Sequence, residues 1–103
     1  MDKIEFLILR NLLHTEEFWR KVIPFVKSEY FEDTNQKIVY EEIESFVTQY
    51  NDTPTKEILS IEVEKRTDIS DITFKEISKL ISYLDSEPVD FDWLMDTTEK
   101  WCR

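Results

Sequence analysis

The side chains able to do chemistry in this chain are few, and most of them are carboxylates. Asp85, Glu87, Asp90, Asp92 and Asp96 form one dense acidic run, and Glu41, Glu42 and Glu44 form another. Such groups build a divalent-metal site or an acid–base pair when a cleft holds them and shifts their pKa values. Acidic runs around helix ends ordinarily face water, and capping and the helix dipole alone explain Asp90 and Asp92. Nucleophilic chemistry is scarcer still. His14 is the single histidine and Cys102 the single cysteine. A Ser–His or Cys–His pair would have to use His14, which ends the first helical pattern, where an imidazole caps carbonyls. The two residues together are too small a ligand set for zinc. The residues therefore predict no catalytic group, no metal and no cofactor in this chain.

Glycine is absent from all 103 residues. Backbone N–H groups close around a phosphate only where no Cβ intrudes, so the nucleotide fingerprints GxGxxG and GxxxxGKS/T are excluded. The calcium loop of an EF-hand, which turns on a central glycine, is excluded with them. Left-handed helix caps and tight primed hairpins lose their preferred residue, which favours helices joined by irregular loops.

Net charge is −10, from 23 acidic and 13 basic residues, and the bases are scattered rather than gathered. A surface of this kind repels a phosphate backbone, so strong direct nucleic-acid binding is not expected. Hydrophobic residues make up 41 % of the chain, enough for a real core despite 35 % charged residues. The longest apolar stretch, Phe6-Leu7-Ile8-Leu9, is far short of the roughly 20 residues a membrane span needs. No secretory signal pattern is visible, and one cysteine permits no internal disulfide, as in a reducing intracellular setting.

Helical periodicity positions all of these groups. Asp2 and Glu5 fit a capping box, followed by Ile4, Leu7, Ile8 and Leu12 on one face. Thr15 begins a second helix with Phe18, Trp19, Val22 and Ile23, ended or kinked by Pro24. Residues 25–31 read as a turn or 3₁₀ connection with inward aromatics. Asp33 caps the clearest helix, striped by Val39, Ile43, Phe46, Val47 and Tyr50. The breaker Asn51-Asp52-Thr53-Pro54-Thr55 precedes a fourth helix with Ile58, Leu59 and Val63. A fifth begins near Ser70 or Thr73 and carries Phe74, Ile77, Leu80, Ile81 and Leu84 until residues 85–88 break it. The last, from Phe91, places Leu94, Thr98 and Trp101 at helical spacing. The expected fold is all-α, a compact bundle of about six short helices in one domain over residues 1–103. No stop signal follows Trp101, as expected of a piece of a longer protein.

Aromatics are the stronger candidates for function. Trp101, Trp93, Phe91 and Tyr83 collect toward the end of the chain, and Trp and Tyr are enriched at protein interfaces. They are the candidate partner interface, with Trp101 first among them.

The order of these segments resembles the N-terminal domain of DnaB-type replicative helicases. The likeness begins with an acidic residue inside an apolar first helix, Glu5-Phe6-Leu7-Ile8-Leu9-Arg10-Asn11-Leu12-Leu13. Glu16-Glu17-Phe18-Trp19 with Val22, then Phe31, then Ile38-Val39-Tyr40-Glu41-Glu42-Ile43, and Asp52-Thr53-Pro54-Thr55 before Leu59 continue it. Ser28-Glu29-Tyr30-Phe31-Glu32, and Trp93-Leu94 with Thr98-Glu99-Lys100, are similar to the helicases of T-even-type bacteriophages. The family often has glycine before the loop proline, where this chain has Asp52-Thr53.

The resemblance implies a non-catalytic collar domain that helps a hexameric ring assemble and offers a surface to primase during DNA replication. Its partners would be neighbouring helicase subunits and primase, in the cytoplasm of an infected host cell. ATP and Mg would belong to a separate C-terminal domain. The helical hairpin that pairs neighbouring domains would begin after Arg103. The competing reading is a free-standing acidic phage protein that mimics nucleic acid or inhibits a basic host protein, which requires carboxylates aligned on one face.

Overall fold

Local side-chain chemistry sets the helix starts. The computed structural model describes residues 3–103, so the expected cap at Asp2 lies outside the described residues. Six α-helices form: α1 Lys3–His14, α2 Glu16–Val22, α3 Thr34–Tyr50, α4 Lys56–Glu64, α5 Asp71–Ser82 and α6 Phe91–Trp101. A 3₁₀ turn occupies Ser28–Tyr30, and no strand occurs among the described residues. The all-α expectation is met. Asp33, Thr55, Ser70 and Asp90 each accept a backbone N–H three residues on, at 2.9–3.1 Å, satisfying a donor that the first turn leaves orphaned. Thr15 also precedes a helix but makes no such cap; its hydroxyl donates to Asn11 Oδ1 at 2.9 Å instead.

The lack of glycine does not abolish the left-handed helix cap. Asn51 supplies it at the end of α3, with φ 54°, and its N–H bonds to the Val47 carbonyl at 2.8 Å. Asparagine tolerates this conformation better than other residues with a Cβ. It is the one non-glycine residue with positive φ among the described residues.

Helix α3 is the centre of the molecule. It packs on α1, α4, α5 and the 3₁₀ turn, while α4 and α5 also pack on each other. Helix α1 joins this group to α2 and α6. Val39, Tyr40 and Ile43 of α3 are fully buried among Ile8, Leu9 and Leu12 of α1, Leu59 and Val63 of α4, and Ile77 and Ile81 of α5. Burying each such aliphatic side chain stabilises the fold by roughly 1.5–3 kcal/mol.

Several expected core residues face outward. Ile4 and Phe25 are exposed, and Tyr50 leaves the core to stack on half-buried Phe46, ring centroids 4.5 Å apart. On α1 the inward place beside Ile8 and Leu12 is taken by Glu5, whose Oε1 accepts the Glu32 N–H at 3.0 Å. That bond ties the first helix to the segment leading into α3.

Candidate partner interface

The four aromatics read from the sequence differ in exposure. Phe91 and Trp101 lie on the inward side of α6 with Leu94 and Thr98, and both are half-buried. Ten residues of helix separate them by roughly 15 Å. Phe91 lies at the start of the helix, with the Lys21 ammonium of α2 5.3 Å from its ring centre. Trp101 packs edge-on against Phe31 at 4.8 Å and Tyr30 at 6.0 Å. Phe31 in turn stacks on Tyr40 at 4.9 Å. Trp101 thus has partners inside this chain, at the end of an aromatic row leading to the core.

Trp93 and Tyr83 are the exposed pair. Trp93 is 51 % exposed, because two residues after Phe91 a helix has turned to its opposite side. Tyr83, just past α5, is 54 % exposed. It lines an open groove of about 450 Å³ between the start of α3 and the outer side of α5.

The acidic runs are occupied in holding the fold. Arg66, after α4, reaches Glu42 at 2.8 Å, Glu41 at 3.3 Å and Asp68 at 2.8 Å. The hydrogen bond to Asp68 is the main reason the guanidinium is held charged beyond its ordinary range; the same bond lowers the Asp68 carboxyl. Glu44 lies 3.1 Å from the Tyr40 hydroxyl, which donates to the Val26 carbonyl at 2.7 Å. Burial, then the Glu44 carboxylate, push that phenol well above its usual range.

In the second run, Asp85 pairs with Lys56, Glu87 with Arg10 at 3.3 Å, and Asp96 with Lys100 at 2.9 Å, while Asp90 caps α6. The Lys56 hydrogen bond lowers the Asp85 carboxyl, so this clasp is fully present above the unfolded carboxyl's pKa. It is lost as pH falls through the lower folded value. Lys56 also donates to the Ser82 carbonyl at 3.0 Å, tying the start of α4 to the end of α5. These acids are distributed over separate ion pairs and caps rather than converged on one cleft.

His14 meets a carbonyl, as its position at a helix end predicts, but not one of its own helix. Nε2 lies 2.5 Å from the Leu84 oxygen beyond α5, so the ring bridges the first helix to the fifth. Cys102 is partly covered, and burial pushes its thiol up. Among the described residues no three His, Cys, Asp or Glu side chains stand together as a metal site, and no helix is long and apolar enough to cross a membrane. Sequence reading missed Gln36, buried at the same groove as Tyr83. Asp33 and Gln36 have capping-box spacing, but that pattern does not signal burial at a groove.

No protein-family model matches the chain. The chain is 32 % identical over 97 residues to the DnaB-like replicative helicase of Enterobacteria phage T4. That match takes in 94 % of this chain and 20 % of the phage protein, so the chain spans about a fifth of the length of this relative. The resemblance read from the sequence therefore holds: nearly the whole chain is similar to part of a phage DnaB-like replicative helicase, a match consistent with an N-terminal domain.

Proposed function

We propose that this chain is the N-terminal collar domain of a phage replicative DNA helicase. In this reading it does no chemistry itself, supports hexamer assembly and docks primase, in the cytoplasm of the infected host. The observation that carries it is the match of nearly the whole chain to a fifth of a DnaB-like replicative helicase. The glycine-free sequence supports the division of labour, since a phosphate-binding loop has to come from elsewhere in such a protein. Trp93 and Tyr83, the exposed members of the aromatic set, are the contacts open to a partner, while Trp101 and Phe91 set the position of α6 that presents Trp93.

The reading is tested on the full-length gene product. Its gene should continue past Arg103 into a Gly-Lys-Ser/Thr loop. Sedimentation should show hexamers that are lost, together with primase stimulation of unwinding, when residues 1–103 are deleted. A gene that stops at Arg103, or a deletion that leaves ring assembly and primase stimulation intact, overturns it.

A further inference from the structure

A buried carboxamide without partners is costly, because its donor and its acceptor leave water and gain nothing. Gln36 is such a group: it is 1 % exposed, and neither Nε2 nor Oε1 is hydrogen-bonded. It sits in the first turn of α3, where its own N–H is taken by Asp33 Oδ1. Its side chain does not close the capping box that the spacing offers. Instead it forms part of the wall of the α3–α5 groove, with Asp33 and Asn35 on one side and Glu76, Lys79 and Tyr83 on the other. The groove's 450 Å³ falls within the size of ligand-binding clefts, about 300–1,000 Å³. Glu76 and Lys79 have no ion-pair partner among the described residues.

We propose that this groove binds an extended segment of a partner protein, whose main-chain amide pairs with the Gln36 carboxamide and whose basic side chain meets Glu76. The proposal rests on the reading of the chain as a docking domain and names one docking face. A carboxamide presents a donor and an acceptor side by side, the pattern that a peptide unit complements, and binding in this proposal includes rotation of the buried group toward the groove. Tyr83 at the rim supplies a ring for the segment to pack on and a hydroxyl that remains wet. Charge selects the class of ligand. The chain carries −10, and Asp33 and Glu76 outnumber Lys79 in the groove, so a basic segment is attracted and a phosphate-bearing one repelled. A carboxamide also complements the edge of adenine, which makes a nucleobase the competing occupant.

The test is NMR titration of the ¹⁵N-labelled chain with N-acetyl-lysine N-methylamide, a blocked basic residue with a peptide unit on either side. The glutamate counterpart and adenosine are run in parallel. The Gln36 side-chain amide and the backbone amides of Lys79 and Tyr83 should shift saturably with the lysine compound, in the millimolar range. The glutamate compound should bind about threefold more weakly or worse. Gln36→Leu should abolish the saturable shift and raise the thermal midpoint by about 5 °C, since an unsatisfied buried group is removed. Tyr83→Ala, at an exposed position, should weaken binding about threefold and stands as the second variant should Gln36→Leu fail to fold. The proposal is overturned by absence of a saturable shift at Gln36, by tighter binding of adenosine, or by undiminished binding in either variant. A lowered midpoint in Gln36→Leu also overturns it, because the carboxamide is then satisfied by water within the free chain. None of these failures touches the ring-assembly test, which stands or falls on the full-length protein.

Discussion

Helices α3, α4 and α5 pack against one another in every pairing, whereas α6 rests on α1 and is anchored at its far end by Trp101 on Phe31 and Tyr30. The first group is closed by apolar burial on several sides and is clasped from outside by Arg66 and Lys56. The last helix has one buried stripe, with a charged outer face that carries Trp93. The contrast separates two degrees of anchoring. A mutually packed trio opens only when several contacts are lost at once; a helix docked by one face opens more readily.

The sharpest way to break this contrast is at the centre of the trio. Ile43→Ala should cost about 2–5 kcal/mol in urea unfolding, because a fully buried branched side chain is lost from the packed centre of α3. Trp101→Ala comes next, at about 2 kcal/mol, since only part of the ring is covered. Hydrogen exchange should then show lost protection in α6 with α3, α4 and α5 unchanged, and a full-length protein should assemble less well. Global unfolding at this position instead would erase the distinction between trio and docked helix. Tyr40→Phe should cost about 1 kcal/mol by leaving the Val26 carbonyl without its donor, measured by the same unfolding curves. Smallest is Trp93→Ala, within about 0.5 kcal/mol of the parent in stability. Its effect should be read in partner binding alone, by calorimetry with primase; an unchanged affinity removes Trp93 from the interface.

Helix boundaries were highly legible in the sequence, because they are settled by a few bonds within one turn. Asp33, Thr55, Ser70 and Asp90 act through hydrogen bonds three residues long, and residues 51–55 and 85–88 break helices through their own backbone preferences. The candidate interface was legible only as a list of aromatic residues. Sequence spacing grouped Trp101 with Trp93, although one turns onto Phe31 and the other to solvent. Tyr50 fits the α3 stripe by spacing and Phe25 is expected to pack inward from its turn, yet both are exposed. Gln36 carries no mark of burial in the sequence, because burial of its carboxamide depends on where α5 lies.

What the sequence determined by itself was the helical class, the caps at Asp33, Ser70 and Asp90, the resemblance to a DnaB-like helicase and, through the missing glycine, the exclusion of a phosphate-binding loop. These follow from interactions between residues a turn apart, or from composition. Only the tertiary structure decided which side of each helix is inside and which charges meet. It joined Arg66 to Glu41 and Glu42, Lys56 to Asp85 and His14 to Leu84 across long stretches of chain. It also let Asn51 take the left-handed cap for which glycine is the usual residue. Burial and pairing are properties of neighbours in space, and periodicity shows that a helix has an apolar face without saying what covers it.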